Sequence, residues 1–138
     1  MQSDRFRTAA ESKDFAGFEE IFAADVIFRS PAVFKPYEGR DAVAMLLATV
    51  AGVFEDFAYT DQVETAGTAI LAFSARVGDR ALDGIDLLRF DDEGKVCEMA
   101  VYIRPLSGLN ALSEAMRQKL TAQRSDRNEK PPPEQGFR

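Results

Sequence analysis

The sequence predicts an α+β domain in which N-terminal helices fold over an antiparallel sheet. Three observations lead there. Apolar residues in the first part of the chain recur mostly at helical spacing, residues 56–104 divide into four runs of strand character, and a length of 138 residues suits one domain. The strand runs are separated by Ala66-Gly67, Gly78-Asp79 and Glu93-Gly94, which are turn signals short enough to join antiparallel neighbours. Helices grouped ahead of such a meander define the α+β class.

Taken in order, Ser3 or Asp4 caps a first helix with Phe6, Ala9 and Ala10 on one face. Asp14 caps a second, along which Phe15, Phe18, Ile21 and Phe22 form a stripe. The period then changes to an alternating Val26, Phe28, Ser30 row, a short strand over 25–31 ended by Pro31. Residues 32–39 read as loop. From Arg40 to about Phe54, Val43, Leu46, Leu47, Val50 and Phe54 share one face of a third helix, with Asp41 near its positive end. Strands follow at 56–65, 68–77, 80–90 and 95–104. After Pro105, Leu109, Leu112, Met116 and Leu120 return to helical spacing. The domain is expected to occupy 1–122, and 123–138, polar and containing Pro131, Pro132 and Pro133, to form a disordered tail.

Composition narrows the chemistry. A net charge of −6 repels phosphate backbones, so nucleic acid is not an expected partner. The apolar runs, such as 42–53, are too short and interrupted to cross a bilayer, and charges stand among the first seven residues where a leader would be apolar. No membrane partner and a cytoplasmic location are therefore expected. The chain has no histidine, which removes Ser-His-Asp and Cys-His nucleophiles, the facial triad and common zinc sites. Asp91, Asp92 and Glu93 precede Gly94 and read as a solvated turn rather than a metal loop. Neither a dinucleotide fingerprint nor a phosphate loop is present, so no cofactor is expected. Cys97, a lone cysteine on a strand, reads as a buried structural thiol.

Strand alternation puts Gly84, Asp86, Leu88 and Phe90 on one face and Asp83, Ile85, Leu87 and Arg89 on the other. With Asp86's row turned inward, desolvation raises its pKa and keeps it as a protonated donor or general acid. The other reading is that Asp86 accepts bonds from Tyr37, Tyr59 or a backbone amide and fixes the strand. Met99, Val101 and Ile103 form an apolar row that lines the same cavity, while Ala100, Tyr102 and Arg104 point away. Such a pocket suits a small apolar or aromatic molecule, with Phe6, Phe28, Phe34, Tyr37, Tyr59, Leu88, Met99 and Val101 as its expected ligand-binding residues.

The order of elements resembles a known family. Phe22-Ala23-Ala24-Asp25 leads into the first strand and Tyr37-Glu38-Gly39-Arg40 precedes a helix. Further on, Gly84 to Phe90 and Gly94-Lys95-Val96 look like a pair of long central strands and their turn. Over about 3–112 this is similar to the nuclear transport factor 2-like superfamily, in its SnoaL-like branch. The resemblance implies a cone-shaped half-barrel whose curved sheet and lidding helices enclose a pocket, in a homodimer built through the outer sheet face. The apolar row Ile85 and Leu87 beside Tyr102 fits that dimer.

The superfamily spans isomerases, cyclases, dehydratases, epoxide hydrolases and non-catalytic modules, so fold alone says little about activity. Its steroid isomerases work with an aspartate base, a tyrosine hydroxyl and a protonated aspartic acid. By the resemblance, the base falls on Ser30 before Pro31, the tyrosine on Phe6 and the second acid on Asp86; only the last matches. In the epoxide hydrolases' Asp-Arg-Asp arrangement, the arginine falls on Gly84 and the other aspartate on Val101, so that mechanism is also absent. Missing partners for Asp86 favour binding or assembly. The alternative is an isomerase, cyclase or hydratase with Asp86 as general acid and Ser30, with Tyr37, orienting substrate and water.

Overall fold

The computed structural model describes residues 1–14 and 17–126, with the side chains of 123–126 left aside. Helix α1 (Asp4–Ser12) and the single turn α2 (Phe18–Ile21) precede strand β1 (Phe22–Arg29) and the two-residue β2 (Tyr37–Glu38). Helix α3 (Arg40–Ala51) is followed by the meander β3 (Glu55–Thr65), β4 (Thr68–Val77), β5 (Arg80–Phe90) and β6 (Val96–Arg104), then α4 (Leu106–Asp126). The described strands form one curved, open six-stranded sheet in the order β2-β1-β6-β5-β4-β3. Helices on the concave side complete the α+β cone.

Some expectations change in detail. The second helix starts after Gly17, not at Asp14, and Phe22 begins β1 instead of ending the helical stripe. Phe22 still packs edge-on against Phe18, 4.6 Å between ring centroids, because the chain turns immediately after the helix. Phe15 lies outside the described residues, as does the tail from 127 onward. The loop over 32–39 contains β2, whose Tyr37 pairs with Phe28 in the antiparallel β1–β2 ladder. Strand β1 joins β6 in parallel, so the sheet is mixed, with the antiparallel meander as its larger part.

Each helix is fixed to the sheet by identifiable groups. Ser3 stands at the N-cap of α1, yet its hydroxyl does not close its own helix. The Glu64 carboxylate of β3 instead accepts from the Ser3 hydroxyl at 2.6 Å and from the amides of Ser3 and Gln2 at 2.9 and 3.0 Å. A strand carboxylate thus satisfies the free amides at a positive helix end. Helix α4 crosses back over the sheet, and Gly108 lets it close in: a Cβ there would stand 2.8 Å from Cβ of Leu82 and 2.9 Å from the Ala81 carbonyl. Phe22, Val26, Val43, Leu71, Leu88, Val96 and Met116 are the most deeply buried apolar side chains of the core beneath these helices. Burying each such side chain contributes roughly 1.5–3 kcal/mol.

Candidate functional site

Residues on the concave face of the meander alternate inward as the sequence predicts: on β5, Leu82, Asp86 and Leu88 are buried while Asp83 and Arg89 face solvent. On β4 the inward set is Ala69, Leu71, Phe73 and Ala75. Strand β3 needs an irregularity to keep this parity. The ladder with β4 shifts between Tyr59 and Asp61, so Tyr59 faces inward opposite Phe73 while Gln62 and Glu64, further along, still reach α1.

Between this face and the helices lies a cavity of about 90 Å³, counted as the space open to the centre of a water molecule. One water needs roughly 10–15 Å³ on that measure, so the space suits a small organic molecule rather than a single water. Helices α1, α3 and α4 supply Phe6 and Ala10, Leu46, Leu47 and Val50, and Leu112 and Met116. The sheet supplies an aromatic wall: Phe57 meets Tyr59 edge-on at 4.9 Å and lies tilted by 30° against Phe73 at 5.2 Å. Phe73 stands so close to Gly84 that a Cβ there would come within 2.4 Å of its ring and 2.7 Å of the Tyr102 carbonyl. The glycine is a seat for that ring. It is also where the resemblance to epoxide hydrolases places an arginine.

Asp86 is the one carboxyl on the cavity wall among the described residues. It is 5% exposed, and its register neighbours are Leu71 and Val101. The Tyr59 hydroxyl donates to its Oδ2 at 2.7 Å, reaching across β4 to do so. Oδ1 carries no protein bond among the described residues and is not sealed away from the cavity. Burial pushes the carboxyl up to about 7, against the opposing pull of the Tyr59 bond. Burial, followed by the charge of Asp86, also drives the Tyr59 phenol upward, so it stays a donor. The Arg7 guanidinium lies 5.7 Å from the centre of the Tyr59 ring and is held by Gln62 and Glu11.

Of the residues expected from sequence, Asp86, Phe6, Phe28, Tyr59, Met99 and Val101 come together on this wall. The others do not. Ser30 follows β1, and its hydroxyl accepts the amides of Ala32 and Val33 at 3.0 and 3.2 Å, a local turn that leaves it off the cavity while Pro31 takes the lining position. Phe34 is 98% exposed on the following loop, because the turn carries it away from the sheet. Tyr37 is held on β2 beside the Phe28 ring, 6.3 Å between centroids, and is not Asp86's partner. Leu88 is fully buried core, two residues further along the strand than Asp86. Cys97 is only partly covered, being the extra residue where the β5–β6 ladder shifts.

The helical contributors other than Phe6, together with Phe57, Phe73 and Lys13, were missed as site residues. Leu46, Leu47 and Val50 had been visible as a stripe, and Phe73 follows from strand parity alone. Among the described residues, no group of three His, Cys, Asp or Glu is placed to hold a metal ion, and no helix is long and apolar enough to cross a membrane.

A cone of this topology around an apolar cavity is the architecture of the nuclear transport factor 2-like superfamily. Residues 4–99 match the SnoaL-like domain, and the chain belongs to that family. A solved structure described as a steroid delta-isomerase from Pseudomonas aeruginosa is 42% identical, covers 90% of this chain and 92% of its own, and superposes with a TM-score of 0.86. A protein with a cystatin-like fold from Silicibacter pomeroyi DSS-3 is 28% identical over 91% of this chain and 90% of its own, with a TM-score of 0.84. An NTF2-like protein of unknown function from Mesorhizobium loti, 19% identical over 75% of this chain and 88% of its own, shares the fold with a TM-score of 0.68. No curated protein matches the chain.

Proposed function

We propose that this domain binds a small, largely apolar molecule in the cavity, with a polar group of the ligand bonded to Asp86. The observation that carries this is the free Oδ1 of a buried carboxyl in a wall that, Lys13 aside, is otherwise apolar and aromatic. A protonated Asp86 donates from Oδ1 to a carbonyl or hydroxyl oxygen while Oδ2 keeps the Tyr59 bond. An ionised Asp86 accepts from a hydroxyl or amine instead. With the pKa pushed up to about 7, both forms are populated near neutral pH. The outer sheet face, with Ile85, Leu87 and Tyr102, serves a homodimer in the cytoplasm, and neither nucleic acid nor membrane is a partner.

A second reading, an isomerase, cyclase or hydratase with Asp86 as general acid, draws support from the relative described as a steroid delta-isomerase. Against it, acid catalysis of this kind needs a base as well, and the Ser30 hydroxyl at the expected position is engaged in its own turn. Native mass spectrometry and calorimetry with a panel of small hydrophobic molecules, a β,γ-unsaturated ketosteroid included, test the pair. Binding without turnover, lost in Val101→Trp, supports the binding role. Conversion of the ketosteroid to its conjugated isomer, abolished in Asp86→Asn, supports the enzyme. No binding by any member of the panel overturns both.

A further inference from the structure

The cavity has one cationic lining residue among those described. Lys13 follows the last turn of α1, and its backbone is held in the left-handed region (φ 57°) as its amide donates to the Ala10 carbonyl and the next amide to that of Ala9. That closure of the helix end fixes where the side chain starts. A cation there also answers the negative end of the helix, but the dipole does not require a place on the cavity, and Lys13 is among the residues that line it. Lys13 is exposed, whereas Asp86 is buried, so the two mark mouth and floor. They do not act on each other: burial and the Tyr59 bond account for the state of Asp86.

Several surface cations are compensated, and those without an ion pair among the described residues, such as Arg5, Lys35 and Arg89, do not line the cavity. Arg7 pairs with Glu11, Arg29 with Glu98, Arg76 with Glu55 and Asp56, and Arg104 with Asp83. Lys13 has no such partner among the described residues. The chain as a whole carries −6, so its long-range field does not gather anions and any preference for one must be local.

We propose that the ligand is an amphipathic anion whose uncharged end, bearing the polar group that meets Asp86, enters first, with an acidic group at its other end seated at the mouth against Lys13. This deepens the binding reading and rests on it. A carboxylate or sulfonate left at the mouth remains partly hydrated and meets the ammonium, while the apolar body fills the aromatic wall. An ionised group carried to the floor would lose its hydration in a low-dielectric setting, and would meet Asp86 as a like charge whenever that carboxyl is ionised. The ligand therefore has one orientation.

A matched pair of fluorescent probes tests this: the anion anilinonaphthalenesulfonate and its uncharged parent, phenylnaphthylamine, which share the apolar body. Lys13→Gln is expected to weaken the anion roughly threefold, the size of a partly exposed charge pair, and to leave the uncharged probe unchanged, with Lys13→Arg restoring the anion. Equal effects on both probes, or none on the anion, overturn the proposal. Filling the cavity with Val101→Trp, or Leu112→Trp should the first not fold, separates this from failure of the binding site itself. Loss of both probes on filling places them in the cavity. Retention of both means they bind elsewhere, and the binding reading falls with the proposal.

Discussion

The Tyr59 hydroxyl and the Asp86 carboxylate, on strands separated by β4, share a buried hydrogen bond of 2.7 Å, and this bond is the only protein bond to the Asp86 side chain among the described residues. One bond is too little to offset removal of a carboxylate from water, which is why the pKa rises to about 7 despite it.

That imbalance makes stability pH-dependent in a stated direction. The folded pKa of Asp86 lies above its unfolded value of 3.8, so the native state holds the extra proton between the two. Its contribution is full below the unfolded pKa, declines as pH rises towards about 7 and levels off above that. The difference amounts to roughly 4 kcal/mol at about 1.4 kcal/mol per unit. Asp86→Asn keeps an amide oxygen for Tyr59 and carries no charge, so it is expected to gain stability relative to wild type between pH 5 and pH 8. Urea melts of both proteins at each pH check this. A mutant equally destabilised at both values would mean that Asp86 is a structural acceptor and not a pocket acid.

Tyr59→Phe separates the bond from the burial. The Tyr59 bond holds the Asp86 pKa down, so its loss moves that pKa further up. The variant should also be less stable, by about 1 kcal/mol when Asp86 is neutral and about 2 kcal/mol when it is ionised, since a bond to a charge is the stronger one. Titration of the Asp86 carboxyl by carbon NMR, together with melts at pH 5 and pH 8, reads both effects. A pKa that does not move would assign the shift wholly to other groups.

The extent to which the sequence forecast this arrangement follows the range of the interactions involved. The meander was legible to within about a residue because its turns are local, and Gly67, Gly78 and Gly94 stand at positive φ between strands of strict alternation. The same alternation placed Asp86, Met99 and Val101 on one wall. The parallel pairing of β1 with β6 was not legible, because it joins residues about seventy positions apart with no turn to announce it. Nor was the return of α4, which brings Leu112 and Met116 to the cavity. Ser30 misled because its place before Pro31 matched a family position, while its hydroxyl serves the turn that ends the strand. Lys13 carries no sequence signal for the cavity, because its place there depends on how α1 lies over the sheet.

The convex face makes the next prediction. The β4–β5–β6 register aligns Ile70, Leu87 and Ala100 in one outward row and Ala72, Ile85 and Tyr102 in the next, with Tyr102 57% exposed. Val63, 60% exposed, extends the first row on β3. A contiguous apolar band of this kind favours a second copy of the chain as its cover. Light scattering at micromolar concentration should return a dimer mass, and Leu87→Asp a monomer with an unchanged circular dichroism spectrum. A wild-type monomer would sink the assembly.

The last prediction concerns Gly84 and the ring seated on it. A methyl group at this position meets two neighbours of different kinds: the Phe73 ring at 2.4 Å, which belongs to a side chain, and the Tyr102 carbonyl at 2.7 Å, which belongs to the β6 backbone. The ring can be removed and the carbonyl cannot. Gly84→Ala is therefore expected to cost about 1–3 kcal/mol through forced displacement of both. Phe73→Leu alone should cost a similar amount through lost packing against Phe57 and Tyr59. In the double variant the methyl no longer meets the ring, so the two costs should combine to less than their sum, with a remainder set by the carbonyl. Urea melts of the four proteins form the cycle. Strict additivity would show that the backbone contact alone requires the glycine, and Phe73 would then owe its position to the aromatic wall and not to the seat beneath it.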